Sequence, residues 1–367
     1  MKFGLNIKRG ASLRKLDPNL HWAGQNREIL DEFIVERGRF GKRYDPDNPP
    51  KAVFDCDNTV ILNDVGDAMV FWMLENEKIL QPPKGNWRMT NKFLKESAVE
   101  KLNGLSRGAD EGEPLPTASD LRLAKEILSI YYTGKTSDGE EAFSSYNPQI
   151  MNPSYALGAQ LEAGYTPDEI RGFARSAAEE YLKAPLNAEK TIGGMRGLPG
   201  CLRIYRQMQD LIGTLLENGF EVWMLSASPQ FVVEVYAEMV GIRPERVIGI
   251  RGVIGDDGRL TCDLQGGGVY KDGESELVTF KDGKRFWMNR EIFGVLPERA
   301  MERTIDITKR PVFGAADSDT DISFMLDVTG LRLVIKRKES GLSRLAEENG
   351  DGRWLTNPAF AEDGVEG

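Results

Sequence analysis

The chain has 367 residues, 40% of them hydrophobic, enough to bury a full core in one large or two moderate domains. Its formal net charge of -10 excludes nucleic acid or an anionic membrane as a general partner, because an acidic surface repels both. The single histidine, His21, and three widely spaced cysteines, Cys56, Cys201 and Cys262, exclude a Ser-His-Asp triad, a His-rich metal site, a zinc cluster and a disulfide framework.

In chain order, the opening "MKFGLNIKRGASLRKLD" is basic but lacks the apolar run of a signal peptide, and no run of about 18 apolar residues follows anywhere. The expected location is the cytoplasm, or the periplasm or exterior if an export signal has been trimmed. The first predicted strand is "KAVFD" at 51–55, and it runs into two carboxylates one residue apart, Asp55 and Asp57, followed by Thr59. Two like charges this close repel, and neither is easily desolvated, so either the strand ends in an acidic turn or a positive group sits there. Cys56, between them, is turned away by strand alternation and is expected to pack. Asp64 precedes "VGDAMVFWML" and is placed either to cap that helix or to face a ligand.

From about 65 to 200 no strand is evident. Helical stretches such as "DLRLAKEILSIYY" are joined by Gly/Pro-rich turns, and "TPDE" gives a capping box at Thr166 with Pro167 in the first helical position, for a helix to about Leu182. The segment carries Trp72, Trp87, Tyr131, Tyr132, Tyr146 and Tyr155, most of which are expected to fill its own core. A helix between Cys201 and Asn218, stopped by Gly219, leads into the strand "FEVWMLS" at 220–226, which ends at Ser226 with Ser228 as a near competitor. "RVIGI" at 246–250 is another strand, and the turn signals "GDDGR" and "YKDGE" predict β-hairpins between Gly252 and Gly283. Lys284, in "FKDGKRF", opens a helix, with Lys281 and Lys309 as rivals for its part. "RPVFGAAD" at 310–317 is a strand leading into "DSDTD", and "LRLVIK" at 331–336 is the last strand evident.

Strands separated by helices imply an open parallel sheet, whose carboxyl edge gathers distant segments into one crevice. Asp55, Asp57, Ser226, Lys284, Asp317 and Asp321 would then meet there. Asp55 and Asp317, with a backbone carbonyl and a substrate phosphate, are the hard oxygen ligands that a magnesium ion takes. Asp55 is placed to attack phosphorus, Asp57 to protonate the leaving oxygen and then activate water, and Ser226 and Lys284 to hold the phosphoryl oxygens.

The segments "DCDNT", "LSASP", "DGK" and "ADSDTD", in this order over residues 50 to 340, resemble the four motifs of the haloacid dehalogenase superfamily, in its phosphoserine-phosphatase-like branch. "WMLSASPQFV" and the long insert more loosely resemble phosphorylcholine-phosphatase-like proteins. The resemblance implies a Rossmann-like α/β core at 1–64 and 201–367, a large helical cap at 65–200 inserted after the first strand, and a small β-hairpin region. It implies Mg2+-dependent hydrolysis of a small phosphomonoester, amine- or choline-bearing, through an aspartyl phosphate. Asp55 and Asp57 would be catalytic, and Thr59, Asp64, Ser226 and Lys284 would bind phosphate or substrate. Asp55, Asp57, Asp317 and Asp321 would hold the metal, with Asp319 a third acid in the last motif. In that branch a carboxylate at the spacing of Asp64 engages an amino group. Ala316 departs from the family's usual glycine, which puts activity in doubt through crowding. Phosphoryl transfer to an acceptor other than water, and a catalytically weak ligand-binding or interaction protein, are the alternatives; dehalogenation is disfavoured by Asp57. No nucleic-acid or membrane partner is expected, and the oligomeric state is open.

Overall fold

The computed structural model describes residues 13–360, so most of the basic opening segment lies outside the described residues. A six-stranded sheet forms from β1 (Lys51–Phe54), β2 (Glu221–Pro229), β3 (Val247–Ile250), β4 (Phe313–Ala316), β5 (Leu331–Lys336) and β6 (Trp354–Pro358). The order is β6-β5-β4-β1-β2-β3, and every pairing is parallel. This is the Rossmann-like α/β core expected from the alternation of strands and helices. β6 was not evident in the sequence.

Because strand side chains alternate, each face of the sheet has its own apolar set. Ala52, Phe54, Val222, Met224, Phe313, Ala315 and Leu333 join one hydrophobic cluster, which also takes in Leu30 and Ile34 of α1 (Asn26–Arg37). Val53, Leu225, Ile248, Ala316 and Val334 join another on the opposite face. That face is covered by Phe286, Trp287 and Met288 of a helix at Asp282–Phe293 and by Leu342 and Ala346 of a helix at Gly341–Glu348.

Between β1 and β2 the chain forms α2 (Val65–Glu75), α3 (Glu96–Leu105), α4 (Leu121–Thr133), α5 (Pro153–Gln160) and α6 (Pro167–Lys183). The Thr166 side chain accepts from the Glu169 N–H and completes the expected capping box. The segment is not purely helical: Glu189–Ile192 pairs antiparallel with Met195–Pro199. These strands are largely exposed and mix charged with apolar residues, so they carry no apolar run to read. The helix expected from Cys201 forms only as α7 (Arg206–Glu217), because Arg203–Ile204 pairs instead with Ile61–Leu62. "GDDGR" does turn a hairpin, Gly252–Ile254 with Leu260–Leu264, whereas "YKDGE" makes an irregular turn without paired strands. Among the described residues no helix is long and apolar enough to cross a membrane.

Candidate active site

After β1 the chain turns sharply. The Cys56 carbonyl accepts from the N–H groups of Thr59, Val60 and Ile61, and Asn58 adopts φ +60, a left-handed conformation that Asn tolerates. Cys56 itself is fully buried among apolar neighbours. The turn sends the two acids in different directions. Asp55 is buried; its Oδ2 accepts from Thr59 Oγ1 at 2.9 Å and its Oδ1 from Lys284 Nζ at 2.7 Å. Asp57 accepts from the Val65 N–H at 2.8 Å on Oδ1, and from Ser226 Oγ at 3.1 Å and Ser228 Oγ at 2.8 Å on Oδ2.

Lys284 arrives from the start of the Asp282–Phe293 helix. A Cβ on Gly283 would lie 1.9 Å from the Val278 carbonyl oxygen, so only glycine permits this approach. Its ammonium is buried between Asp55 and Asp321, donating to Asp321 Oδ1 at 2.5 Å. Burial alone would lower its pKa, but the Asp321 and Asp55 charges outweigh this and raise it. The rivals lie elsewhere: Lys281 stacks on the Phe280 ring at 5.2 Å and Lys309 sits in an exposed turn.

Asp55, Asp317 and Asp321 each offer a carboxylate oxygen within 4.8 Å of the others. Asp57, also expected at the metal, is not in this group of carboxylates; its side chain accepts from the two serines and the Val65 N–H. Asp319 is exposed and accepts from the Leu342 N–H, which takes it out of the site. Burial, then repulsion from Asp55, pushes Asp317 up to about 8 and Asp321 up to about 6. Crowded hard oxygen donors of this kind fit a divalent cation such as Mg2+, which would relieve the repulsion. Ala316 is no obstacle: its methyl group packs in the hydrophobic cluster on the face of the sheet covered by the Asp282–Phe293 helix.

Asp55, Asp57, Ser228, Lys284 and Asp317 line a crevice of about 180 Å³ that also receives Asp64, Tyr155, Ser318, Thr320, Arg337 and Lys338, with Thr59, Ser226 and Asp321 buried behind it. Asp64 and Tyr155 are shared with a neighbouring cavity of about 400 Å³, walled by Asp67, Tyr131, Tyr132 and Tyr146. Four of the six aromatic residues singled out in the sequence therefore line this space, yet Tyr131 also belongs to a hydrophobic core cluster and Tyr155 packs against another, as expected of residues that fill a core. Of the others, Trp72 packs on Phe173 and buried Trp87 donates to Ser106 Oγ. Asp64 caps α2, accepting from the Asp67 N–H at 3.0 Å, and also lines both cavities, so capping the helix does not remove it from the crevice.

Asp67 was not singled out in the sequence, though it lies one helical turn beyond Asp64; it accepts from Tyr131 Oη at 2.9 Å. Burial, and then the Asp67 charge, pushes Asp64 up to about 7; burial likewise pushes Asp67 up to about 7. Asp57 is raised well above the usual carboxylate range, first by burial and then by the Asp64 and Asp55 charges. Arg337 and Lys338, also missed, follow β5 as Asp317 follows β4, and that position at a strand's carboxyl end was the available signal.

No family model matches the chain, and no curated protein matches it significantly. Among solved structures, a conserved protein of unknown function from Anaerococcus prevotii DSM 20548 is 20% identical, covers 94% of this chain and 97% of its own, and has a TM-score of 0.67. One of unknown function from Bordetella pertussis Tohama I is 14% identical over 85% of this chain and 99% of its own, with a TM-score of 0.48. A substrate-bound phosphoserine phosphatase is 11% identical over 81% and 97%, with a TM-score of 0.33. The likeness to the Anaerococcus protein shows a shared fold.

Proposed function

We propose that the chain is a Mg2+-dependent phosphomonoester hydrolase of the haloacid dehalogenase type, acting on a small phosphorylated amine or choline-type compound. One observation carries this reading. A buried ammonium, Lys284, is clamped between Asp55 and Asp321 beside Asp317, at the carboxyl edge of a parallel sheet, with a second acid, Asp57, two residues from the first. A buried charge without partners is costly, and this cluster is built from partners.

In the proposed reaction an Asp55 carboxylate oxygen attacks phosphorus and the bond from phosphorus to the ester oxygen breaks. The departing oxygen takes the proton from Asp57, whose pKa is raised by burial and by the Asp64 and Asp55 charges, the direction an acid needs. Water then attacks the aspartyl phosphate and gives its proton back to Asp57. Orthophosphate leaves and the Asp55 carboxylate is restored. Ser226 and Ser228 hold Asp57 in place, Thr59 orients Asp55, and Lys284 offsets the charge of the transferring phosphoryl group. A Mg2+ held by Asp55, Asp317 and Asp321 would supply electrostatic stabilisation of the phosphoryl oxygens.

Residues 65–200 are assigned as the cap, and its cavity as the place for the non-phosphate end of the substrate. The cavity's acids and tyrosine faces suit an ammonium group. The test is hydrolysis of p-nitrophenyl phosphate with and without Mg2+. Turnover should require the ion and should vanish in Asp55→Asn, which keeps the fold. No turnover by the wild-type chain, or substantial turnover by Asp55→Asn, rejects the mechanism.

A further inference from the structure

The largest cavity described lies at the other end of the sheet. It measures about 590 Å³ and is lined by seven cationic side chains and two carboxylates, Asp45 and Asp351. Arg37 comes from α1, Arg43 from the segment leading into β1, and Lys51 opens that strand; Arg303, Arg310 and Arg353 come from the segments that lead into β4 and β6, and Arg332 is the second residue of β5. In a chain of net charge -10, this is a concentration of positive charge that composition does not predict.

The plain structural reading is that these arginines hold backbone carbonyls. Several do: Arg303 donates to the Leu326 oxygen, Arg310 to that of Asp327, Arg332 to those of Met325 and Val328, and Arg353 to that of Thr329. That role uses one N–H each of Arg310 and Arg353, while Arg332 donates from three nitrogens, one of them to Asp351, and Arg303 also lies 3.5 Å from Asp327. It does not account for Arg43, 71% exposed and 3.5 Å from Glu36, whereas Lys51 does hold a carbonyl, that of Pro49 at 3.0 Å, together with Asn48 Oδ1. Among the described residues Arg310 and Arg353 have no carboxylate within ion-pair distance, and Arg310 spends only its Nε–H. Burial lowers the pKa of Arg310, and the charge of Arg303 lowers it further against the opposing charge of Asp327.

We propose that this cavity is a second ligand site, which binds a small metabolite carrying two or more phosphoryl groups. Planar guanidinium forks match phosphate oxygens bidentately, and several around one cavity suit a multiply charged anion better than a single phosphate. The volume is that of a small-molecule site, with Pro49, Pro50 and Ile307 as apolar wall. A long polyanion is disfavoured because the chain as a whole carries a net charge of -10. Lys51 opens β1 and Asp55 follows it, so the two sites stand about 13 Å apart along one strand, at opposite edges of the sheet.

The probe is inorganic triphosphate, titrated by calorimetry into the full chain in EDTA, so that no divalent ion complexes it. Binding should be saturable, one triphosphate per chain at this site, and should weaken as salt rises. Arg310→Gln should weaken it about tenfold or more, with kcat/KM for p-nitrophenyl phosphate unchanged. The exposed Arg43→Gln should weaken it several-fold at an unaltered Tm, which guards against misfolding of the Arg310 variant. Affinity unchanged in both variants overturns the proposal. So does loss of binding in Lys338→Ala alone, which would put the triphosphate in the crevice, or tighter binding of duplex DNA than of triphosphate.

Discussion

Asp64 has two jobs that one substitution can separate. Its side chain caps α2 by accepting the Asp67 N–H, and its charge faces the cavity assigned to the substrate's ammonium group. Asparagine caps a helix as well as aspartate does, so Asp64→Asn keeps the cap and removes the charge, whereas Asp64→Ala also loses the cap, at about 1 kcal/mol. Two opposite charges about 4 Å apart attract by about 4 kcal/mol at an effective dielectric near 20. Asp67 remains after the substitution and water re-enters, so the expected loss is nearer 1.5–3 kcal/mol, a rise in KM of about ten- to a hundredfold. The assay compares phosphorylated amines with p-nitrophenyl phosphate, which has no cation to lose and should keep its KM. At pH 8 the Tm of Asp64→Asn should equal or exceed that of the wild type, because repulsion from Asp67 is relieved. Equal KM effects on both substrates, or none on the amine, would refute the assignment of Asp64 to the ammonium group.

Asp57→Asn should slow an alkyl phosphate far more than p-nitrophenyl phosphate at the first step, since a good leaving group needs little protonation; equal slowing in single-turnover kinetics would remove Asp57 as the acid. Lys284→Met leaves Asp55 and Asp321 buried without their cation, so in metal-free buffer it should lose about 3–5 kcal/mol on denaturant titration, and added Mg2+ should recover part of this. A melt unchanged from wild type would show that Lys284 is not compensating those charges. With Asp64 and Asp67 both pushed up to about 7, their stability contribution in the free protein is full below the ordinary carboxylate range and is lost as pH rises through 7. The same ionisation strengthens cation binding, so KM for a phosphorylated amine, divided by KM for p-nitrophenyl phosphate, should fall between pH 6 and 8. A flat ratio would mean that neither acid meets the amine.

The residues legible in the sequence are those that local pattern and sheet topology place together. Asp55, Ser226 and Asp317 each end or follow an apolar run, and a parallel sheet brings such positions to one edge. The rest depends on contacts that no local pattern encodes. Asp319 sits between Asp317 and Asp321 with the same chemistry, yet it leaves the site because a helix more than twenty residues on presents the Leu342 N–H to it. The effect of Ala316 was unreadable for a similar reason, since the sheet face that takes its methyl group is set by β4's register with β5. The strand at Trp354–Pro358 is short and ends in proline, and only its pairing with β5 defines it. The tyrosine-lined cavity is assembled from α4, α5 and the loop between them, so helical spacing gave no reason to separate Tyr131 and Tyr155 from core residues.

The same long-range packing constrains how a substrate reaches the site. Met69 and Phe71 of α2, Leu128 of α4 and Tyr181 of α6 belong to one hydrophobic cluster with Val222 of β2 and Phe313 of β4. Residues 65–200 therefore have no separate core along which they could part from the sheet. Swinging them away as a unit would expose several large side chains at about 1.5–3 kcal/mol each, so four of them would cost about as much as a whole domain's stability. Removing the segment would uncover the same surface, so truncation cannot isolate its effect on selectivity, and point changes in its cavity have to serve. Access then falls to the irregular chain between α4 and α5, where Gly134 ends α4 at φ +70 and exposed Tyr146 lines the cavity. Ala142, Ile150 and Met151 of this stretch are buried in the hydrophobic clusters, so only the exposed residues 145–149 between them can shift without breaking core contacts, and a shift there would open a path past Tyr155 while the acids and Lys284 stay in place.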